Sequence, residues 1–273
     1  MDRDIEEIEF TIFDTETTGL EPENGDRIIE IAAIRFKGTE RIASFSTLVN
    51  PRRQISDAAF EVNHITQEML RSAPDINTVL PDFLNLVKES CLCSYNAGFD
   101  MGFLNNELRL IEKPPLKDIV VVDILKMAKR LLPGSERYAL WFIAEKLGIK
   151  TQQEHRALSD VELTLGVFNR LKEMLKLKGV SDFKNFSGLF SINQVFLDNI
   201  NNQKIAKIQE AIDLGVKLKI KYLSSSGAEV SEREVIPKEI RQENGRSYLT
   251  GFCCLRNEER TFRVDGILQL EIL

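Results

Sequence analysis

The first 51 residues alternate between apolar, β-branched runs and short polar segments. Apolar runs cover residues 8–16, 27–38 and 41–51, and residues 17–26 are rich in turn formers. Runs of this kind, separated by Gly, Pro, Asn and Asp, are typical of strands joined by turns. The pattern therefore predicts three consecutive strands that form a meander.

A helical period dominates the next part of the chain. The segments with this period are residues 65–73, 78–90, 99–113, 124–132, 138–148 and 157–175. Two short apolar runs, residues 91–97 and 120–124, lie between them and are predicted to be buried strands. Three early strands followed by alternating helices and strands predict an α/β fold, in which helices cover a mixed sheet.

The pattern breaks after Leu175. Residues 176–203 are interrupted by Lys, Gly, Asn and Ser and predict a partly helical linker. Beyond the linker we expect a short helix over residues 204–215, followed by strands joined by turns that contain Gly and Ser. The pattern therefore divides the chain into a first domain over residues 1–175, the linker, and a small β domain over residues 204–273.

Composition agrees with a cytoplasmic globular protein. The chain has 273 residues, of which 43% are hydrophobic, and no apolar run approaches the roughly 20 residues of a membrane-spanning helix. The first ten residues are acidic where a signal peptide is basic, so no membrane partner is expected. The cysteines stand as Cys91-x-Cys93 and Cys253-Cys254, a spacing unlike that of zinc sites, and we expect them to be reduced.

The formal net charge of −6 argues against a passive coat protein for nucleic acid, because such proteins bind through Lys and Arg. The acidity lies in residues 1–203, which carry 24 basic and 31 acidic side chains, whereas residues 204–273 carry 12 and 11. An enzyme that recruits a polyanion through bound metal ions has less need of a basic surface.

Asp14 and Glu16 are the first candidates for chemistry. On a strand, side chains alternate between faces, so the two carboxylates point the same way and Thr15 points to the other side. Paired carboxylates suit hard cations such as Mg²⁺ or Mn²⁺. An ordinary surface position explains the same pair equally well.

Asp100 is the second candidate, because it lies where the predicted strand over residues 91–97 runs into a helix. Open α/β sheets tend to place functional groups at the ends of such strands. A carboxylate in the first turn of a helix also interacts favourably with the backbone dipoles, so a structural capping role is the alternative.

His155 and Asp160 are the third candidates, at the start of the long helix predicted to end near Leu175. Five helical residues would rotate Asp160 about 140° from His155, so both can face one site only if His155 precedes the helix. Residues 151–154 are polar and predict the required loop. An exposed loop histidine beside a helical aspartate is the alternative.

Together these side chains supply four carboxylates and one histidine. Such a set can hold two metal ions about 4 Å apart, which would orient a phosphodiester and favour hydroxide formation. A histidine of near-neutral pKa can take the proton from the attacking water.

The chain resembles the DEDDh exonucleases, the family that includes the proofreading epsilon subunit of bacterial DNA polymerase III. The similarity covers about residues 8–175 and rests on three blocks: FDTETTGL, NAGFDMGFL and HRALSD. It implies an RNase H-like fold, two Mg²⁺ or Mn²⁺ ions, and release of nucleoside 5′-monophosphates from a single-stranded or frayed 3′ end of DNA. RNA is the alternative substrate, and a DNA polymerase or a repair complex is an implied partner.

The resemblance also implies roles for individual residues. It makes metal ligands of Asp14, Glu16, Asp100 and Asp160, a general base of His155, and a nucleotide pocket of Thr17, Thr18, Gly19, His64 and Asn96. A helix-capping or surface position is the alternative for His64.

Residues 204–273 resemble a WYL domain, a small SH3-like β-barrel associated with ligand sensing in bacterial regulators. Ser247 replaces the Trp that names the domain, which puts its usual ligand pocket in doubt. We expect a basic and aromatic patch for a nucleotide or a single strand, formed by Tyr222, Arg233, Tyr248, Arg260 and Arg263. Barrel packing and surface ion pairs explain these residues equally well. A nucleic-acid-binding or ligand-sensing regulatory protein is therefore the alternative function.

Overall fold

The computed structural model describes residues 3–117, 119–150, 155–224 and 229–273. The first sheet is formed by β1 (Glu9–Thr17), β2 (Ile28–Lys37), β3 (Glu40–Leu48), β4 (Cys91–Ser94) and β5 (Val121–Asp123). Its spatial order is β3-β2-β1-β4-β5. The predicted meander is confirmed, since β1, β2 and β3 pair in antiparallel fashion, while β4 and β5 run parallel to β1.

Eight helices in the described part of the chain accompany this sheet. They are α1 (Asp57–Asn63), α2 (Gln67–Arg71), α3 (Ile76–Val87), α4 (Ala97–Leu110), α5 (Ile124–Leu131), α6 (Leu140–Lys146), α7 (Ala157–Leu177) and α8 (Phe183–Phe190). The short helix α1 was not predicted, because it buries only Asn63 and so shows no apolar stripe in the sequence. It begins where the Ser56 side chain accepts a hydrogen bond from the backbone of Ala59.

The alternation of side chains along β1 divides the core into two layers. Phe10 and Ile12 pack on the side of α7 and α8, where the Phe10 ring centroid lies 5.1 Å from that of Phe168. Phe13 points to the opposite side, where it packs with Phe83 of α3. Asp14 and Glu16 therefore face the α7 layer, and Thr15 faces α3 and α4.

The predicted linker, residues 176–203, contains α8 and the start of another helix. Phe186 and Phe190 of α8 are buried in the same cluster as Phe10, so this segment packs against the first sheet. The second helix, α9 (Gln194–Leu214), begins ten residues before the helix predicted at 204. That predicted start was wrong, because the polar residues 201–203 lie within the helix and leave the backbone helical.

The second sheet is antiparallel throughout. Its strands are β6 (Leu218–Leu223), β7 (Val230–Glu243), β8 (Arg246–Cys253), β9 (Glu258–Arg263) and β10 (Ile267–Ile272), in the order β10-β6-β7-β8-β9. Ile208 and Ala211 of α9 pack on its apolar face. Among the described residues no pairing joins the edge strands β9 and β10, so the closed barrel that we predicted is not observed. α9 covers the apolar side that a barrel would enclose.

All four cysteines are free thiols, and Cys254 alone among them is partly exposed. Within the described ranges, no helix combines the length and the apolar character that crossing a bilayer requires.

Candidate active site

Three of the predicted carboxylates meet at one end of the first sheet. Asp14 and Glu16 project from the same face of β1, and Asp160 lies in the first turn of α7, which packs on that face. One carboxylate oxygen from each residue lies within 4.8 Å of the others. This is a spacing at which a single cation can contact all three side chains.

The electrostatics of this cluster favour cation binding. Burial raises the pKa of Asp14 well above its usual value, and the negative charges of Asp100 and Glu16 add to the effect. Burial likewise raises the pKa of Glu16 to about 8, with further contributions from Asp160 and Glu30. A divalent cation would relieve this repulsion, so the donor set fits a metal such as Mg²⁺ or Mn²⁺.

Asp100 reaches the site from the other layer. Its Oδ1 accepts hydrogen bonds from the backbone nitrogen of Thr15 at 3.1 Å and from Thr15 Oγ1 at 2.7 Å, and its Oδ2 accepts one from the Ser94 hydroxyl. Burial raises its pKa to about 6, although the hydrogen bonds from Ser94 and Thr15 oppose that change. Asp100 is not one of the three clustered carboxylates. Its hydrogen-bond partner Thr15 faces α4, on the opposite side of β1 from Asp14 and Glu16. Asp100 therefore does more than cap α4, the alternative role considered from the sequence, because it also joins α4 to β1 and β4.

His155 lies two residues ahead of α7, as the spacing to Asp160 predicts. It is exposed and has a positive φ of 48°, so the chain turns sharply before the helix begins. Residues 151–154, the predicted loop, lie outside the described residues.

Glu30 fixes the start of α7 next to His155. The Arg156 guanidinium donates to both Glu30 carboxylate oxygens, at 3.0 and 2.6 Å, and the backbone nitrogen of Ala157 donates to Glu30 Oε2 at 3.0 Å. Glu30 is opposite Glu16 in the β1–β2 pair. It was missed in the sequence, where the signal was a single acidic residue within an otherwise apolar strand.

The turn after β1 is held by its own side chains. Thr17 Oγ1 donates to the Gly19 carbonyl at 2.6 Å, and Thr18 Oγ1 donates to Asp26 Oδ1 at 2.9 Å. A Cβ at Gly19 would lie 2.3 Å from Asp26 Oδ2, so a larger residue would displace the carboxylate that holds Thr18. The turn is therefore fixed beside the carboxylate cluster.

His64 ends α1 in the left-handed conformation, with φ of 55°, and its backbone nitrogen donates to the Phe60 carbonyl. This is the helix-capping position that the sequence left open. Its ring meets the exposed ring of Phe60 edge-on, at 6.1 Å between centroids. The neighbouring Asn63 side chain donates to the Thr17 carbonyl at 3.4 Å and connects α1 to the turn after β1.

Asn96 also has a positive φ, 72°, at the residue before α4. Its backbone nitrogen donates to Asp123 Oδ1 at 3.2 Å, and it lines a cleft with residues of α5. Asn96 thus stands on the β5 side of the sheet edge, while the three-carboxylate cluster lies on the β1 and α7 side.

The residues of the predicted second-domain patch border two different openings. Tyr222, Arg233 and Arg260 line a cavity of about 670 Å³. Arg263 instead forms an ion pair with Asp265 and faces a cleft between the two domains. Tyr248 is opposite Arg263 in the β8–β9 pair.

Comparison with known families assigns both parts of the chain. The model of an exonuclease family, RNase T, matches residues 11–168, and the model of the WYL domain matches residues 203–272.

Among curated proteins, the DNA polymerase III subunit epsilon of Treponema pallidum is 42% identical over 168 residues, which cover 61% of this chain and 77% of that protein. The PolC-type DNA polymerase III of Staphylococcus haemolyticus is 31% identical over 258 residues, or 94% of this chain. The chain spans only 18% of the length of that PolC-type relative.

Solved structures show the same fold. Exonuclease X in complex with 5′ overhanging duplex DNA has a TM-score of 0.50 and 26% identity, and the match covers 63% of this chain and 94% of that one. The nuclease domain of 3′hExo, a DEDDh family member bound to rAMP, has a TM-score of 0.55 and 22% identity over the same shares. The Escherichia coli ExoI–ssDNA complex has a TM-score of 0.61 and 19% identity, covering 90% of this chain and 55% of that one.

Proposed function

Since this chain belongs to the exonuclease family whose model spans residues 11–168, we propose that it is a metal-dependent 3′-to-5′ exonuclease acting on DNA. It hydrolyses the phosphodiester bond at the 3′ end and releases nucleoside 5′-monophosphates. The observation that carries this proposal is the cluster of Asp14, Glu16 and Asp160, whose carboxylate oxygens lie within 4.8 Å of one another.

The proposed cofactor is a pair of divalent cations, Mg²⁺ or Mn²⁺, held by Asp14, Glu16 and Asp160 together with Asp100. When bound, the ions supply positive charge for the phosphate and lower the pKa of water. The carboxylates themselves position these ions, and Asp100 keeps its place through its hydrogen bonds to Thr15.

His155 is the proposed general base. Its imidazole takes a proton from the attacking water, a role that histidine fills more often than any other side chain. Its exposed position ahead of α7 leaves the ring accessible to water. Glu30 positions His155 indirectly, because its ion pair with Arg156 fixes the residue that follows His155.

The terminal nucleotide is proposed to contact Thr17, Thr18 and Gly19, together with His64 and Asn96. The hydrogen bonds within the turn support the first three, because a rigid turn beside the carboxylates offers a defined surface to a nucleotide. The exposed Phe60 ring against His64 supports a stacking surface for a base.

DNA as the substrate is supported by the relatives that are DNA polymerase III components and by the exonuclease X complex with duplex DNA. A DNA polymerase or repair complex is the proposed partner and the cytoplasm the proposed location. RNA remains the second candidate, since the 3′hExo nuclease domain was solved with rAMP. Degradation of labelled DNA and RNA strands of equal sequence distinguishes the two, and faster cleavage of RNA would exclude DNA as the preferred substrate.

The second domain is proposed to be a WYL-type unit with an SH3-like arrangement of strands, beginning near residue 204. The cavity lined by Tyr222, Arg233 and Arg260 supports a ligand or nucleic-acid site there. A purely regulatory protein acting through this cavity would need no carboxylate cluster, so catalysis is the function that we favour.

Asp14→Ala tests the catalytic proposal directly. The variant should leave a 3′-labelled DNA strand intact with Mg²⁺ present, whereas Asp82→Ala, which removes an exposed carboxylate of α3, should cleave as the parent does. Equal rates for Asp14→Ala and the parent would overturn the assignment.

A further inference from the structure

A basic cleft separates α5 from the second sheet. It has a volume of about 410 Å³. Five cationic side chains line it: Lys126, Lys129 and Arg130 from α5, Arg246 from β8 and Arg263 from β9. The cleft exists only because the two domains pack against each other.

Arg130 holds this junction. It is 7% exposed, its Nη2 donates to the Leu223 carbonyl at 2.9 Å, and its Nη1 lies 4.0 Å from Asp265 Oδ1. Gly266 leaves the space that the guanidinium occupies, since a Cβ there would lie 2.9 Å from Arg130 Nη2. The two walls of the cleft are thus fixed by a buried contact.

The positive charge of the cleft is only partly compensated. The lining includes one carboxylate, that of Asp123, and the nearby Asp265 is already paired with Arg263. Lys129 and Arg246 are exposed and have no ion-pair partner among the described residues. Arg130 lines the cleft, and its buried Nε has no hydrogen-bond partner in the part of the chain that the structure describes.

Burial is the main influence on the pKa values of the two buried cations that α5 contributes to the cleft. Burial lowers the pKa of Lys126 and of Arg130, and the positive charge of Arg263 lowers both further, although Asp265 opposes this. An anion bound in the cleft would offset the cost of burying these charges.

The cleft opens beside the candidate active site. Its rim includes Asn96, which lies four residues before Asp100 and donates to Asp123 at the end of β5. The carboxyl ends of β4 and β5 therefore border the cleft, and the carboxyl end of β1 carries Asp14 and Glu16 along the same edge of the sheet.

We propose that this cleft binds the phosphodiester backbone of the nucleic-acid strand whose 3′ end occupies the active site. The inference rests on the proposed function for the identity of the strand. It differs from the cavity of Tyr222, Arg233 and Arg260, because its cations come from both domains. Phosphoryl oxygens are the groups recognised, so a single nucleotide is the other source of the same chemistry.

The test uses the full chain with Lys129→Glu and Arg246→Glu combined. Matched controls reverse charges outside the cleft: Arg170→Glu on α7 and Lys238→Glu on β7, both exposed. Binding of a fluorescent 20-nucleotide DNA strand is measured by anisotropy in EDTA, so the result does not depend on catalysis. Thymidine 5′-monophosphate binding is measured by calorimetry in the same buffer.

The double variant should bind the strand about tenfold more weakly than the controls, and its salt slope should be shallower by about 0.7 for each phosphate that it no longer neutralises. Binding of the mononucleotide should stay as in the parent. Equal weakening in the control variants, or unchanged strand binding, would overturn the proposal. Loss of mononucleotide binding with strand affinity retained would show a nucleotide site instead and would overturn it as well.

A second readout separates this inference from the proposed function. Hydrolysis of the p-nitrophenyl ester of thymidine 5′-monophosphate needs the active site alone, so the double variant should retain the parental rate. A parent that binds the strand through the cleft but hydrolyses neither substrate would refute the exonuclease proposal and leave the cleft standing. Loss of ester hydrolysis in the double variant would contradict the cleft's separation from the active site.

Discussion

The acidic cluster and the basic cleft lie along the same edge of the first sheet and have opposite charge. In the cluster, carboxylates from β1 and α7 lie within 4.8 Å of one another, and burial raises the pKa values of Asp14 and Glu16. In the cleft, cations from both domains face one another, and burial lowers the pKa values of Lys126 and Arg130. Each region keeps like charges together, a costly arrangement that an oppositely charged ligand would stabilise.

We therefore expect the two regions to bind ligands of opposite charge along the same edge of the first sheet. Divalent cations suit the cluster, and a phosphate backbone suits the cleft. The difference between them is how they are built: the cluster belongs to the first domain alone, whereas the cleft requires both domains. Changes that affect one region and spare the other test this comparison.

Chelation should produce the largest effect. Exhaustive treatment with EDTA should lower the rate of strand cleavage at least about 10³-fold, equivalent to ~4 kcal/mol of activation free energy. Added Mg²⁺ or Mn²⁺ should restore it, and strand binding in the cleft should persist without metal. Full activity after chelation would contradict the role assigned to the carboxylates.

Glu30→Gln should have the next largest effect. Loss of charge on Glu30 weakens its ion pair with Arg156, so kcat for strand cleavage should fall about 10- to 100-fold, as for other groups that orient ligands or bases. KM and the thermal midpoint should change little. Glu9→Gln is the matched control, since Glu9 accepts from Arg35 across the same pair of strands. Equal kcat values for the two variants would refute the positioning role of Glu30.

Gly266→Ala should break the junction and spare the cluster. The added Cβ would lie 2.7 Å from Tyr222 Cε2 and 2.9 Å from Arg130 Nη2, and such overpacking costs about 1–3 kcal/mol of unfolding free energy. Strand binding should weaken, while hydrolysis of the mononucleotide ester is retained. Gly98→Ala, where a Cβ meets nothing within 4 Å, serves as the control for stability in denaturant unfolding. If Gly266→Ala were as stable as the parent, the close packing of Tyr222 and Arg130 against Gly266 would be contradicted.

The pH dependence of the metal-free protein should give the smallest effect. The pKa of Glu16 is raised from 4.5 to about 8 in the folded state, so folding retains a proton that the unfolded chain loses in this range. Stability should therefore fall as pH rises from about 5 to 8, by a few degrees of Tm. Asp160→Asn removes the neighbouring charge that raises this pKa most and should flatten the fall, whereas Asp82→Asn should not. A metal-free Tm that rises over this range would contradict the raised pKa values.

Much of the fold could be predicted, because strands and helices each give a characteristic spacing of apolar residues along the sequence. The meander follows from the alternation over residues 8–51, and the α/β layers follow from the change of period after it. The helix α9 was not predicted in full, because its polar residues 201–203 hide the continuity of the backbone. The open second sheet could not be predicted, since closure depends on which strands pair across the domain.

In the candidate site, too, local features could be predicted from the sequence and long-range contacts could not. Strand alternation predicted that Asp14 and Glu16 share a face, and helix geometry predicted that His155 precedes α7. Glu30 was missed because its partner Arg156 is 126 residues away in sequence. The hydrogen bonds of Asp100 could not be predicted either, because spacing does not reveal which layer supplies a side chain.

The cleft was beyond sequence reasoning for a related reason. Lys129 and Arg246 belong to different domains, and no motif connects them. Instead, the sequence grouped Arg263 with Tyr222, Arg233 and Arg260, residues that line another cavity.

The carboxylate cluster is proposed to remove nucleotides one at a time from a 3′ end. The direct measurement follows a DNA strand, labelled at its 5′ end in one sample and at its 3′ end in another, with Mg²⁺ present. We predict a ladder that shortens by single nucleotides in the first sample and immediate release of labelled 5′-monophosphate in the second. Internal cuts, release of 5′-terminal nucleotides first, or an intact strand would contradict the proposal.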